Sequence, residues 1–120
     1  MLRRMEGIPQ EIIGVVAQSH VTKVDYEQVL EPLFEEAQRK GRPIRFLYQF
    51  GPEFQGFTAG AAFEDFKVGI KYLSLLEKCA VVSDVDWLRW ATQTMGVFIP
   101  CPVKTFKNAE INLAIKWLES

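Results

Sequence analysis

The chain has one histidine, two cysteines and no long apolar run among its 120 residues. Each shortage excludes something. With His20 as the only histidine there is no multi-histidine metal site. A structural zinc wants four nitrogen or sulfur ligands, which Cys79, Cys101 and His20 cannot supply. Two cysteines make no disulfide framework. Nothing approaches the ~20 apolar residues that span a bilayer as a helix. Lys and Arg number 14 against 15 Asp and Glu, a formal net charge of −1. There is no basic excess to neutralise phosphates, so no nucleic-acid partner is expected. The start, Met1-Leu2-Arg3-Arg4-Met5-Glu6, has two arginines with no apolar stretch behind them and does not read as a secretory signal. Free thiols without such a signal suit the cytoplasm.

Catalytic motifs are missing too. There is no Gly-x-Ser-x-Gly elbow, no phosphate loop ending in Gly-Lys-Ser/Thr and no Gly-x-Gly-x-x-Gly. Glu64 and Asp65 are neighbours on a helix and diverge by roughly 100°, which makes a poor acid-base pair and reads as a solvated face. Asp84 and Asp86 read as acids at a helix N-terminus. Cys79 begins a strand and reads as a small buried hydrophobe. Cys101, between two prolines, reads as an exposed loop residue, and His20 as the surface end of a strand. No catalytic residue, metal or cofactor is assigned, and an enzyme is not expected.

What the chain does have is apolar residues, 48% of the total against 24% charged, the balance of a globular protein. Its length suits a single domain over residues 1–120. β-Branched and aromatic runs predict strands over 11–19, 44–50, 79–82 and 103–106, with 2–6 as an edge strand. Near-continuous apolar runs predict a mostly parallel sheet, and the helical segments between them predict an α/β layer fold. Thr22-Lys23-Val24-Asp25 resembles a capping box that starts the first helix, in which Pro32 predicts a kink. Gly41-Arg42-Pro43 ends it. Thr58 is the expected N-cap of a second helix over about 59–75. A third begins near Ser83-Asp84-Val85-Asp86, and a fourth follows Asn108.

Two regions carry more apolar material than a minimal core requires. Gly51 to Gly60 has the glycine and proline of a loop, yet includes Phe54 and Phe57. On the third helix, Trp87, Leu88, Trp90, Ala91 and Met95 spread over roughly 160°. Val97-Phe98-Ile99 then forms an apolar tip before Pro100. The second helix shows two stripes, Phe63-Phe66-Ile70-Leu73 and Val68-Tyr72-Leu75, with Phe66 and Ile70 expected to cover the sheet. Contiguous apolar surface of this kind marks a ligand groove or a contact with membrane or protein.

Several motifs resemble the bacterial SpoIIAA-like proteins, small relatives of the STAS domain. They are Gly51-Pro52-Glu53-Phe54-Gln55-Gly56-Phe57 with Gly60-Ala61 and Asp65, Ser83 through Arg89, and the ending from Phe106 to Leu118. The resemblance implies about five strands with four flanking helices. It also implies similarity to CRAL-TRIO lipid-binding domains, with an apolar pocket between the second and third helices and contact with membrane. Anti-sigma-factor antagonists carry a phosphorylatable serine after an aspartate at the second helix. Thr58 takes a similar place here, but Phe57 stands where the acid would be, so a phosphorylation switch at Thr58 is not supported.

The leading expectation is therefore a non-enzymatic binder of a small apolar or lipid-like ligand. Its candidate ligand-binding residues are Phe54, Phe57, Phe63, Phe66, Ile70, Trp87, Trp90, Met95 and Phe98. Trp90, Val97, Phe98 and Ile99 are the candidate membrane contacts, at the inner face of the membrane. The rivals are a protein-interaction module of a partner-switching pathway with Thr58 at the contact, and a homo-oligomer that buries the excess.

Overall fold

The β-branched and aromatic runs become the strands of one sheet in the computed structural model, which covers residues 1–120. They are β1 (Leu2–Arg4), β2 (Ile12–Val21), β3 (Ile44–Phe57), β4 (Leu76–Val82) and β5 (Val103–Phe106), side by side in that order. β1 is antiparallel to β2, and the other pairings are parallel. Parallel neighbours need crossover connections. These are α1, a helical run over 23–39, then α2 (Ala59–Lys71) and α3 (Asp86–Gly96). After β5 comes α4 (Ile111–Glu119). This is the α/β architecture of five mostly parallel strands and four helices that the sequence predicts.

The pleat divides the core in two. From β3, Ile44, Tyr48 and Phe50 join Phe34 of α1, Val68 of α2 and Leu88 of α3. Leu47 points the other way and packs with Ala80, Val82, Ala114 and Leu118 beneath α4.

Local chemistry sets most boundaries. Thr22 and Asp25 form the expected capping box. The irregularity before Pro32 is a π-turn over Tyr26–Leu30, which leaves the proline in the opening turn of Glu31–Arg39, where it has no helical partner to deny. Gly41, at φ 66°, closes α1 with bonds from its N–H to Gln38 and from the Arg42 N–H to Ala37, a Schellman ending.

One expectation is corrected. The stretch 51–57 is not a loop: β3 continues through it to Phe57. Ala17 pairs with Phe50 and Ser19 with Phe54, so β3 gains residues on β2 through bulges, with Ser19 at φ 52° and Gly56 at φ 145°. A bulge is where a sheet accepts Pro52, which cannot donate to a ladder. α3 starts at Asp86, the last residue of the expected Ser83–Asp86 start. Val85 is the N-cap residue, its N–H donates to the Ser83 hydroxyl, and Asp84 instead accepts from the Asn108 N–H.

Candidate functional site

The rotation of α2 about its own axis decides the site. Thr58 caps the helix by accepting the Ala61 N–H at 3.1 Å, while its own N–H donates to the Val21 carbonyl. Ala61, Glu64, Val68 and Tyr72 are then buried. This is helical spacing, and the small Ala61 lets α2 approach the start of α1. α2 meets the sheet sparsely and scarcely touches α3. The stripe expected to cover the sheet, Phe66 and Ile70 with Phe63, is turned outward instead, and Phe66 is 61% exposed.

Between α2 and α3 lies a cleft of about 350 Å³, and eleven of its thirteen lining residues are apolar. Phe46, Tyr48, Phe50, Val81 and Val103 form its floor. Leu88, Ala91, Thr92 and Met95 form the α3 wall, at the i, i+3, i+4 and i+7 spacing of one helix face. Thr92 faces inward and spends its hydroxyl proton on the Leu88 carbonyl. Ile99 completes the wall. Gly96 allows this end of α3 to lie against β5, since a Cβ there would stand 3.2 Å from that of Val103. A hollow of about 390 Å³ beside the β1–β2 turn is lined mainly by polar and charged groups, including Arg4, Glu6, Glu36 and Arg42. Met5, Ile8, Ile12, Ile13 and Leu33 supply its apolar part, a smaller share of the lining than in the α2–α3 cleft.

Of the nine candidate ligand residues, Phe57 and Met95 line the cleft. Phe54 stands behind it, edge-on to Phe50 and Phe57 at centroid distances of 4.8 and 5.1 Å. Phe63, Phe66 and Ile70 line a shallow groove on the outside of α2 with Glu27, Glu31 and Lys67. Trp87, Trp90 and Phe98 face solvent, Trp90 being 69% and Phe98 81% exposed. Among the membrane candidates, Trp90, Val97 and Phe98 are exposed and Ile99 belongs to the cleft.

Sequence reasoning passed over Asp65. Its carboxylate lines the cleft and accepts a hydrogen bond from the Tyr26 hydroxyl at 3.0 Å, and Tyr26 in turn lies 2.9 Å from the Tyr48 hydroxyl. Solvent reaches Asp65 on its outer side, yet protein crowds the carboxyl closely enough that desolvation raises its pKa, against the lowering pull of Tyr26. Burial drives both tyrosines well above the ordinary phenol value, so each remains a neutral hydrogen-bonding group. Its neighbour Glu64, also read as solvated, is 4% exposed. It faces Glu31, whose pKa is raised first by a hydrogen bond between the two carboxyls and then by burial. Lys67 Nζ stands 3.8 Å from Glu64 Oε2.

Cys101 is buried rather than exposed, because the loop before β5 folds it against β4 and its sulfur comes to 3.9 Å from that of Cys79. Burial pushes both thiols up, which suits packing and not nucleophilic attack. No group of three or more His, Cys, Asp or Glu side chains could hold a metal. No helix is long and apolar enough to cross a membrane.

The profile of the SpoIIAA-like family matches residues 12–119. The chain belongs to the SpoIIAA-like family. A crystal structure of an uncharacterised protein with a SpoIIAA-like fold, from the DUF3478 family of Shewanella loihica PV-4, is 27% identical. The match covers 98% of this chain and 93% of that one, with a TM-score of 0.77. A comparison with curated proteins finds no match. Family and fold support a binding or interaction module for this SpoIIAA-like chain.

Proposed function

We propose that this SpoIIAA-like protein binds a small apolar or lipid-like molecule in the cleft between α2 and α3, performs no chemistry on it, and exchanges it during brief contact with a membrane surface. The observation that carries this reading is an apolar cleft of about 350 Å³ between two helices that barely meet. That volume lies within the ~300–1,000 Å³ of small-molecule sites, and an apolar lining selects by shape and size.

The membrane half rests on the tip. Val97 and Phe98 are exposed and adjoin Ile99 of the cleft wall, while Lys67 and Lys71 on α2 are exposed cations. Full burial of one such apolar side chain is worth roughly 1.5–3 kcal/mol, so partial insertion of a few gives reversible binding only. Sedimentation with anionic vesicles at low salt is the test. Binding should weaken but persist as salt rises, because screening removes only the charge term. Phe98→Asp should abolish it and leave the thermal midpoint nearly unchanged. If the wild-type protein ignores vesicles at every salt concentration, the membrane half is wrong. Native mass spectrometry addresses the rivals: a ligand-free oligomer would assign the exposed apolar residues to a subunit contact.

A further inference from the structure

Within the cleft the polar groups share one direction. Tyr26 has a single hydroxyl proton and spends it on Asp65 Oδ1, so the bond between the two tyrosines must run from Tyr48 to Tyr26. The relay therefore reads Tyr48 to Tyr26 to Asp65 and ends on a carboxylate. Thr92 has likewise committed its proton, to the Leu88 carbonyl. The bond from Tyr26 is the only one that reaches Asp65, whose Oδ2 has no protein partner, and Asp65 takes part in none of the ion pairs. What remains on offer in an apolar cleft is a hydrogen-bond acceptor, negatively charged and without a counter-ion.

A head group entering here is sorted by what it brings. A carboxylate head sets two like charges together against an apolar lining, which is unfavourable. A hydroxyl or ammonium head donates to Oδ2 and relieves a group that burial already disfavours in its charged form. We propose that the ligand class of this cleft is an apolar chain with a single hydrogen-bond-donating head, an alcohol or an amine, which docks on Asp65 Oδ2 while its chain lies over Phe46, Val81, Leu88 and Met95. This rests on the reading of the cleft as a ligand site. It adds that fatty-acid-like heads are selected against.

The two can be tested apart. The full-length protein is loaded with a neutral apolar fluorophore, which is displaced at neutral pH by 1-decanol, decylamine or decanoate below their aggregation limits. A hydrogen bond to a charged group is worth about 1.5–3 kcal/mol, and 1.4 kcal/mol is tenfold, so the alcohol and the amine should each compete at least about tenfold better than decanoate. In Asp65→Asn the amine should lose about tenfold and decanoate should gain, each measured against the fluorophore's own affinity for that variant. The amine's larger loss separates charge pairing from the plain hydrogen bond of the alcohol. Fluorophore uptake with decanoate equal to or better than decanol overturns the head-group assignment and leaves the cleft reading standing. Failure of the fluorophore and all three probes to bind overturns both. The wild-type order alone decides the matter if Asp65→Asn does not fold.

Discussion

On one face of the sheet α4 alone lies across β3, β4 and β5, and its Ala114 and Leu118 are fully buried against Leu47, Ala80 and Val82. On the other, three helices share the face and still leave a cleft that reaches the strands. The contrast extends to surface chemistry. α4 leaves one large apolar residue well exposed, Leu113, whereas α2 and α3 leave Phe63, Phe66, Ile70, Trp87, Trp90 and Met95. It extends to polar groups as well: the two buried side-chain atoms without a hydrogen-bond partner, Glu64 Oε2 and Tyr72 Oη, both lie on α2 or at its C-terminal cap. Apolar burial is the dominant favourable term in folding, and buried polar groups are normally satisfied. The α4 face obeys both rules and holds the domain together. The cleft face departs from both: its exposed apolar residues lie on α2 and α3, and the unpartnered buried atoms lie on α2 or at its cap.

Truncating leucines should expose this contrast most strongly. Leu118→Ala empties a closed site, where no neighbour can relax into the gap, and should cost in the upper part of the usual ~2–5 kcal/mol. Leu88→Ala merely enlarges an existing cleft and should cost in the lower part. Chemical denaturation of both variants measures the difference, and equal losses would mean that the cleft wall is packed as tightly as the α4 core.

A second difference appears against pH. The carboxyl pKa values of Asp65 and Glu31 are raised, Asp65 by desolvation and Glu31 first by its hydrogen bond with Glu64. A raised acid holds its proton more firmly when folded, so its contribution is fully present below the unfolded pKa. That contribution is lost as pH rises through the folded value. Asp65→Asn has no proton to lose. Its stability relative to wild type should therefore be greatest at neutral pH and shrink on acidification through the folded pKa of Asp65. Thermal melts across mildly acid to neutral pH give the curve. A difference that does not change with pH would place the carboxylate in ordinary solvent.

Phe66→Ala should change stability by no more than about 0.5 kcal/mol, the usual range for a surface position, although a buried phenylalanine would cost about 3–5. The loss expected for a core residue would show that α2 turns its Phe66 stripe inward in solution.

Why that stripe could not be placed from sequence is instructive. Strand alternation in 44–50 and the caps at Thr22, Thr58 and Gly41 are local, since each rests on neighbours within a few residues, and all of them were legible. The facing of α2 is not local. Both its stripes are apolar, and the choice turns on Ala61 meeting α1 and on Tyr72 packing edge-on to Phe34 at 5.4 Å. Nor could Asp65 be told from Glu64 without knowing that Tyr26, 39 residues earlier, stands opposite it. β3 past Phe50 was hidden for another reason. The glycines and proline of a bulge are the same residues that make a loop, and only the pairing of Ser19, His20 and Val21 tells them apart. The signal for the cleft floor was present, in the alternation of Phe46, Tyr48 and Phe50.

The smallest effect is expected of Thr58→Asp, where the two faces are no longer in contrast. The Thr58 hydroxyl accepts the Ala61 N–H, and the side chain is otherwise exposed at the mouth of α2. Aspartate in its place can accept the same bond and puts negative charge at the positive end of the helix. Thr58→Asp should therefore melt within about 0.5 kcal/mol of wild type and take up the apolar fluorophore with unchanged affinity. Thr58→Ala, which removes the acceptor, should lose about 1 kcal/mol, so the pair of variants separates capping from charge. If Thr58→Asp instead released a partner protein that holds the wild type, charge at this residue would be acting beyond the helix. The antagonist-like reading of the family would then apply to this chain.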